Sequence, residues 1–272
     1  MQVFRNRLSQ YVTISDDIWE QFRKLDRKEK VYLSGEDIIQ LGQKVQHVFI
    51  LTEGWAIRYR ALEDGRRQIV NFMLPGDIFD LQVLAGVEAD HSITAITKVT
   101  VQRTCAEDFI KALRNSGEMA SAFWWAAVQE ESILREQIVR VGRRTARERI
   151  GHLLLELQRR YQAALGAESN HLPLPLTRTD LADALGLTPV HVSRTMSALR
   201  QANLIREVRG SITILDPGKL ARMSHFDMDY LHMRKLSFQR QEKTQAHRSG
   251  LGSVGESNRF MAIPRPPRPG QK

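Results

Sequence analysis

The chain has 272 residues, a net charge of +9 and one cysteine. This length is sufficient for about two domains, and a single cysteine excludes a disulfide framework within the chain. No apolar run approaches the ~18 residues that cross a bilayer, and no signal peptide is recognisable, so we expect a cytoplasmic protein with no membrane contact.

The excess positive charge lies at the end of the chain. Residues 1–117 carry 16 basic and 16 acidic side chains, whereas residues 232–272 carry nine and two. The last segment is polar and ends in a Pro-rich stretch, so it has too little apolar area to fold, and we predict a basic, disordered tail. The net charge is therefore weak evidence for nucleic-acid binding, because it belongs mainly to this tail.

The first 117 residues are predicted to form a β-rich domain. Residues 1–30 have a helical pattern, with a helix start at Ser15. From Val31 onward, short runs of alternating polarity are separated by glycines. This texture is typical of an antiparallel sandwich or barrel. The predicted strands are residues 48–51, 55–60 and 68–72, and residues 92–101 add further β-rich sequence.

Residues 118–144 are predicted to form one long helix that pairs with a second copy of the chain. Its apolar positions are spaced alternately by four and three residues, the pattern of a two-stranded coiled coil. Glu131 falls on the same stripe and would weaken the pairing locally or fix its register. The alternative is that the stripe packs on the chain's own β-rich domain. The predicted dimer seam comprises Ala120, Trp124, Ala127, Leu134, Ile138 and Val141.

Two short helices are predicted after residue 176. Thr177 and Asp180 have the spacing of a capping box, in which each side chain binds a free backbone N–H of the helix start. Gly186 suits the left-handed exit from that helix. Thr188 followed by Pro189 then begins the second helix, because proline has no N–H to leave unpaired there.

The surrounding sequence extends this pair into a winged helix-turn-helix. Thr145 with Glu148 opens a preceding helix, and residues 166–175 are predicted to be a loop. Residues 205–215 alternate as two strands around an Arg-Gly turn, which predicts the wing. We therefore predict a winged helix-turn-helix over residues 145–231. The alternative is an ordinary helix pair inside a helical core.

The second helix of the motif is predicted to bind DNA. In a helix-turn-helix it enters the major groove, and its N-terminal residues reach the base edges. The N-terminus of the first helix suits phosphates. The candidate contacts are Arg178, Thr179, Thr188, Pro189, Val190, His191, Ser193, Arg194, Ser197 and Arg200. A basic cluster upstream either approaches phosphates or pairs with Glu136 and Glu148; it comprises Arg140, Arg143, Arg144, Arg147 and Arg149.

Four segments in order resemble the Crp/Fnr superfamily of bacterial transcription regulators. They are LSGEDIIQLGQKVQHVFILTEG, FMLPGDIF, RTARERIGHLLLEL and the helix-turn-helix, and the resemblance covers roughly residues 14–216. It implies an α+β fold with an N-terminal antiparallel β-roll of the cyclic-nucleotide-binding kind, a long dimerisation helix and a C-terminal winged helix-turn-helix. It also implies that an effector repositions the dimer helices and hence the recognition helices, and that RNA polymerase is a partner.

The resemblance further implies a degenerate effector pocket. Members that bind cyclic AMP follow a Gly-Asp turn with a Gly-Glu pair that holds the ribose, and later use Arg-Ser on the phosphate. Here Gly76 belongs to the turn, and the two pairs are Asp80-Leu81 and His91-Ser92. The ribose partner is lost and Asp80 opposes a phosphate. We therefore predict weak or no cyclic AMP binding.

No cofactor and no metal are predicted. The oxygen-sensing branch of the superfamily holds an iron–sulfur cluster with several cysteines, which Cys105 alone cannot supply. Haem is an open alternative, with His47 or His91 as ligands. A redox role for Cys105 is another, although no basic cluster adjoins it in the sequence.

On the DNA side, Ser193 and Arg194 match a Ser-Arg pair that family members use on the recognition helix. The match implies a bidentate contact from Arg194 to guanine. Val190 stands where many members carry a Glu, so the half-site should differ from theirs.

The predicted function is a homodimeric, sequence-specific regulator and not an enzyme. It would bind double-stranded DNA at a pseudo-palindromic operator whose half-sites lie about one helical turn apart. One alternative is a signalling module that binds a nucleotide or small molecule and acts through a protein partner. Another is a cupin-like metal enzyme, which needs clustered histidine ligands that the β-rich sequence does not contain.

Overall fold

The structure is a computed structural model, and it describes residues 1–233. These residues belong to one compact unit. Apart from its first two residues, the predicted tail at 232–272 lies outside the described residues. Within the described part of the chain, no helix has the length and hydrophobicity needed to cross a membrane.

The N-terminal half contains two four-stranded antiparallel sheets, as predicted for a β-roll. Their strands are β1 (Lys28–Tyr32), β2 (Asp37–Ile39), β3 (His47–Glu53), β4 (Ala56–Ala61), β5 (Arg67–Met73), β6 (Ile78–Phe79), β7 (Ser92–Ala95) and β8 (Val99–Cys105). One sheet has the order β1-β8-β3-β6 and the other β2-β7-β4-β5. Apolar side chains from both sheets, including Ile39, Leu51 and Ile93, are buried in a shared core.

Two short helices, α1 (Gln2–Leu8) and α2 (Asp16–Arg23), precede the first strand. Phe4 and Phe22 of these helices pack against Phe109 and Phe123, with ring centroids 4.7–6.3 Å apart within this aromatic cluster. The predicted helical region through residue 30 was wrong at its end. Residues 28–32 form β1 because they pair in register with residues 99–103 of β8, a long-range contact that a local pattern does not show.

A short helix, α3 (Ala106–Asn115), leads into the long helix α4 (Gly117–Arg143). The Ser116 side chain caps α4 by accepting from the backbone N–H of Met119. One face of α4, including Phe123 and Ile133, is buried on the chain's own core. The opposite strip is exposed, with 72% of Trp124 and 70% of Ile138 accessible.

The C-terminal half is a winged helix-turn-helix, as predicted. Its elements are α5 (Ala146–Leu165), β9 (His171–Pro173), α6 (Arg178–Leu185), α7 (Pro189–Gln201), β10 (Ile205–Val208), β11 (Ser211–Ile214) and α8 (Pro217–Ser224). Both predicted capping boxes are present, and Gly186 ends α6 at a φ of +62°. The segment predicted as a loop at 166–175 contains β9, because residues 171–173 pair with β11 of the wing.

The β-roll packs directly against the helix-turn-helix. Ile69 and Phe72 of β5 share one buried cluster with apolar side chains of α5, α6 and α7. Arg67 of β5 makes ion pairs of 2.7 Å with both Asp180 and Asp183 of α6.

A chain of buried charges also crosses this junction. Arg160 of α5 is 2.8 Å from Asp77, which follows the Pro-Gly turn before β6, and Arg7 of α1 is 3.3 Å from the same carboxylate. Arg160 also lies 3.6 Å from Glu156, which pairs with Arg140 at the end of α4. These pairs join α1, the β-roll, α4 and α5 through groups that are almost entirely withdrawn from water.

Candidate functional site

The helix α7 presents one face to the core and the opposite face to solvent. Thr188 caps its start by accepting from the N–H of His191 at 3.2 Å, and Pro189 occupies the first turn. The side chains of Val192, Met196 and Leu199 are fully buried. The other face carries the predicted DNA contacts: Thr188, Pro189, Val190, His191, Ser193, Arg194 and Arg200 are exposed, and Ser197 is half-buried.

An open groove of about 450 Å³ runs beside the first turns of α7. Val190, His191 and Arg194 line it from the helix, and Arg147 of α5 lines its other side. The groove therefore combines an apolar side chain, two polar ones and an extra guanidinium that belongs to the basic cluster.

The basic cluster divides into two groups. Arg140 pairs with Glu156 and Arg144 with Glu136. Arg149 donates to the backbone carbonyls of residues 144 and 185 at 2.7 and 2.8 Å. Three of the five arginines are thus used within the chain, whereas Arg143 is exposed and Arg147 faces the groove.

Two further predicted DNA contacts are held by one carboxylate. Arg178 of α6 and Arg200 of α7 both donate to Glu207 of the wing strand β10, Arg200 at 2.8 Å. Thr179, beside Arg178, is exposed. The Glu207 side chain therefore links the start of α6, the end of α7 and the wing.

A second candidate site is a cavity of about 590 Å³ between the β-roll and α4. The predicted effector residues Asp80, Leu81 and His91 line it, together with Arg58 of β4. Gly76 and Ser92 do not. A Cβ on Gly76 would lie 2.7 Å from the carbonyl oxygen of residue 3 in α1, and Ser92 accepts from the N–H of residue 41.

The charges of this cavity disfavour an anion. Arg58 is bound to Glu130 of α4, and Asp90 and Glu131 add two more carboxylates to the lining. Burial raises the pKa of Asp80 to about 6, although Arg58 opposes the shift. Burial and the nearby Arg58 guanidinium lower the pKa of His91, so its imidazole is neutral at physiological pH. Arg60 is the second basic side chain of the lining, so a phosphate here would face two arginines and four acidic side chains.

Comparison with known proteins finds a match for both halves of the chain. A profile described as a cyclic nucleotide-binding domain matches residues 29–116, and one described as a Crp-like helix-turn-helix domain matches residues 148–223. The "Nitrogen fixation regulation protein FixK" of Bradyrhizobium diazoefficiens is 34% identical over 204 residues, which cover 75% of this chain and 84% of that protein. The chain belongs to the Crp/Fnr family of transcriptional regulators.

Other members of the Crp/Fnr family extend the similarity. The "Transcriptional activatory protein AadR" of Rhodopseudomonas palustris is 34% identical over 198 residues, covering 73% of this chain and 81% of that protein. The solved structure of FixK2 from Bradyrhizobium japonicum superposes with a TM-score of 0.66 at 28% identity, covering 75% of this chain and all of that one. The Crp/Fnr family consists of transcriptional regulators, which are not enzymes.

The remaining candidate ligands of this Crp/Fnr chain lie apart from the cavity. His47 is in β3 and Cys105, which is exposed, ends β8, both in the sheet that does not contain β4 and β7. Burial and nearby basic side chains lower the pKa of His47. Among residues 1–233 there is no group of three or more His, Cys, Asp or Glu side chains placed to hold a metal ion.

Sequence reasoning missed three side chains that organise these sites. They are Glu207, which holds two predicted DNA contacts, Arg67, which joins the β-roll to α6, and Glu130, which binds Arg58 across the cavity. The last two have no local signal, because Arg67 is 113 residues from Asp180 and Arg58 is 72 residues from Glu130.

Proposed function

We propose that this chain is a homodimeric regulator of transcription in the cytoplasm that binds a pseudo-palindromic DNA operator through α7. The observation that carries the proposal is the position of α7. One face of this helix is buried in the core that it shares with the β-roll, and the opposite face is exposed to solvent. Val192, Met196 and Leu199 are fully buried on one face, whereas Val190, which is 60% exposed, and the exposed Arg194 lie on the other. Because only the inner face of α7 packs on the core, its outer face is available to contact base edges.

Arg194 is the principal proposed base contact. Its guanidinium has the fork geometry that matches O6 and N7 of guanine, and Ser193 next to it supplies a shorter hydrogen bond. Val190 contributes only apolar contacts, such as to a thymine methyl. Thr188, His191 and Ser197 are proposed as further contacts to bases or phosphates, and Arg147 as a contact to the DNA backbone on the other side of the groove.

The exposed strip of α4 supports the proposed dimer. Ala127, Trp124 and Ile138 of the predicted seam are exposed, and Ala120, Leu134 and Val141 are half-buried. The opposite face of α4 already packs on its own chain, so this strip is free to contact another molecule. In a symmetric dimer, the strip would pack against the same strip of a second copy.

The working parts proposed for this regulator are a sensor at residues 1–117, a dimer helix at 118–144 and a DNA-binding domain at 145–231. We propose that the sensor does not respond to cyclic AMP, because Asp80 and its acidic neighbours oppose the phosphate. Titration calorimetry that gave a micromolar site for cyclic AMP would contradict this part. RNA polymerase is the proposed protein partner, in keeping with the activator role in the name of AadR.

The decisive test begins with selection of genomic DNA fragments by the full chain, followed by mobility shift on the selected site and on random duplex. Arg194→Ala should weaken binding to the selected site by ~1–3 kcal/mol and binding to random duplex only slightly. Arg114→Ala removes an exposed arginine of α3 and serves as the matched control. Equal losses on both duplexes would show that Arg194 contacts only phosphates. Selection without enrichment would favour the alternative of a module that acts through a protein partner.

A further inference from the structure

The carboxylate of Glu207 is shared between two arginines on the face proposed to meet DNA. Its Oε1 accepts from Arg178 and its Oε2 from Arg200 at 2.8 Å, so each oxygen binds a different guanidinium. Arg200 also donates to the Ser197 hydroxyl at 2.8 Å. Three predicted DNA contacts are therefore held in one small network that is anchored on the wing.

This arrangement places a carboxylate where phosphate oxygens would bind. Arg178 lies in the first turn of α6, and Arg200 lies near the end of the exposed face of α7. A guanidinium binds carboxylate and phosphate oxygens with the same geometry. About a third of the Arg178 side chain and nearly half of the Arg200 side chain stay accessible, at 31% and 45%. The DNA backbone can therefore reach both arginines and compete for them.

Glu207 differs from the other acidic residues of this region. Residues 177–214 contain three carboxylates, Asp180, Asp183 and Glu207. The first two bind Arg67 of the β-roll. Glu207 alone among these three is engaged with arginines of the recognition face.

We propose that Glu207 determines the specificity of DNA binding by occupying two arginines that would otherwise bind the phosphates of any sequence. The proposal rests on the proposed function. Binding to arbitrary DNA consists almost entirely of phosphate contacts, so a carboxylate that holds two arginines weakens it directly. At the operator, the base contacts of Arg194 hold α7 in the groove and keep the phosphates close enough to displace Glu207.

Glu207→Gln tests the proposal, because glutamine keeps the size and hydrogen-bonding capacity of the side chain and removes its charge. The full-length variant is compared with the wild type by fluorescence anisotropy on random duplex and on the selected site, over a series of salt concentrations. Binding to random duplex should tighten about three- to tenfold, and the salt dependence should steepen by roughly one to two phosphate contacts. The selected site should gain less, so the ratio between the two affinities should fall.

Two further variants make the result interpretable. Glu88→Gln removes the same charge at an exposed position of the β-roll and should change neither affinity by more than about twofold. Arg178→Ala and Arg200→Ala, added together to Glu207→Gln, should abolish the gain on random duplex. Circular dichroism and thermal melting confirm that each variant is folded.

The outcomes separate this proposal from the one on which it rests. Weaker binding of Glu207→Gln to both duplexes would overturn it, since the carboxylate would then orient the arginines toward DNA. An unchanged affinity for random duplex, or a gain equal to that of Glu88→Gln, would also overturn it while leaving a sequence-specific regulator in place. A wild-type chain that shows no preference for any selected site would overturn the proposed function itself.

Discussion

Removal of the Asp77 carboxylate is expected to destabilise the whole described unit. Asp77 lies 2.8 Å from Arg160 and 3.3 Å from Arg7, and it accepts from the backbone N–H of Leu74 at 2.8 Å. Each of the three charged side chains is no more than 8% exposed. Asp77→Ala would therefore leave two guanidinium groups buried without this counter-charge, and one backbone donor without its acceptor.

The magnitude follows from the kind of pair that is broken. Loss of one member of a buried ion pair costs ~3–5 kcal/mol, because the remaining charge stays desolvated. Arg160 keeps Glu156 at 3.6 Å and donates to Asn71 at 3.0 Å, which places the expected cost near the lower limit. A loss of about 3 kcal/mol is a large part of the ~5–15 kcal/mol of an ordinary domain. The melting temperature should fall by roughly 6–12 °C.

Urea unfolding of the full chain, followed by far-ultraviolet circular dichroism, measures this free energy. Asp64→Ala is the matched control, because Asp64 pairs with Arg66 at 2.7 Å in an exposed hairpin, with side chains 52% and 77% accessible. A surface pair of that kind contributes little to stability, because both charges stay hydrated and are screened by salt. A loss of less than about 1 kcal/mol for Asp77→Ala, or a loss no larger than that of Asp64→Ala, would contradict a stabilising role of this buried carboxylate.

Two further perturbations test the dimer strip and the buried histidine. Ile138→Glu should raise the dissociation constant of the dimer by about 100-fold, since it places a charge in the seam of both copies; sedimentation velocity measures the change, and Leu62→Glu at an exposed hairpin position is the control. An Ile138→Glu protein that stays dimeric would exclude the strip as the interface. Burial and nearby arginines lower the pKa of His152 to about 2, so the unfolded chain binds a proton that the folded chain does not. The contribution of His152 to the free energy of unfolding is fully present above its ordinary pKa of 6.5 and declines by ~1.4 kcal/mol per pH unit below it. Between about pH 7 and pH 5 the wild type should thus lose about 2 kcal/mol more than His152→Gln in urea unfolding, and parallel losses would contradict the assignment.

Local signals in the sequence predicted the elements of the C-terminal half well. The capping box at Thr177, the left-handed Gly186 and the Thr188-Pro189 start each act within a few residues, so their meaning does not depend on the rest of the fold. β9 escaped prediction because a three-residue strand has almost no periodic pattern and is formed only by pairing with β11. β1 was mistaken for helix because it, too, is formed by a long-range pairing, with β8.

The partners of charged side chains were much harder to predict. Arg178 was assigned to phosphates on its position at a helix start, but Glu207, 29 residues later, binds it in the free chain. The basic cluster around Arg140 was expected either to approach phosphates or to pair with Glu136 and Glu148. Arg144 does pair with Glu136, whereas Arg140 lies buried against Glu156. Sequence spacing indicates which charged side chains share a helix face, but only the tertiary fold determines which of them become buried.

The double use of Asp180 bears on whether the start of α6 depends on its polar contact with the β-roll. Its Oδ2 accepts from the N–H of Thr177 at 2.8 Å and so begins α6, while its Oδ1 faces Arg67 of the β-roll at 2.7 Å. Because the two oxygens have different partners, release of Arg67 would leave the start of α6 intact. The start of α6 is thus stabilised from within its own helix, and the ion pair with Arg67 adds to the apolar packing of the β-roll on the helix-turn-helix without being needed for the cap.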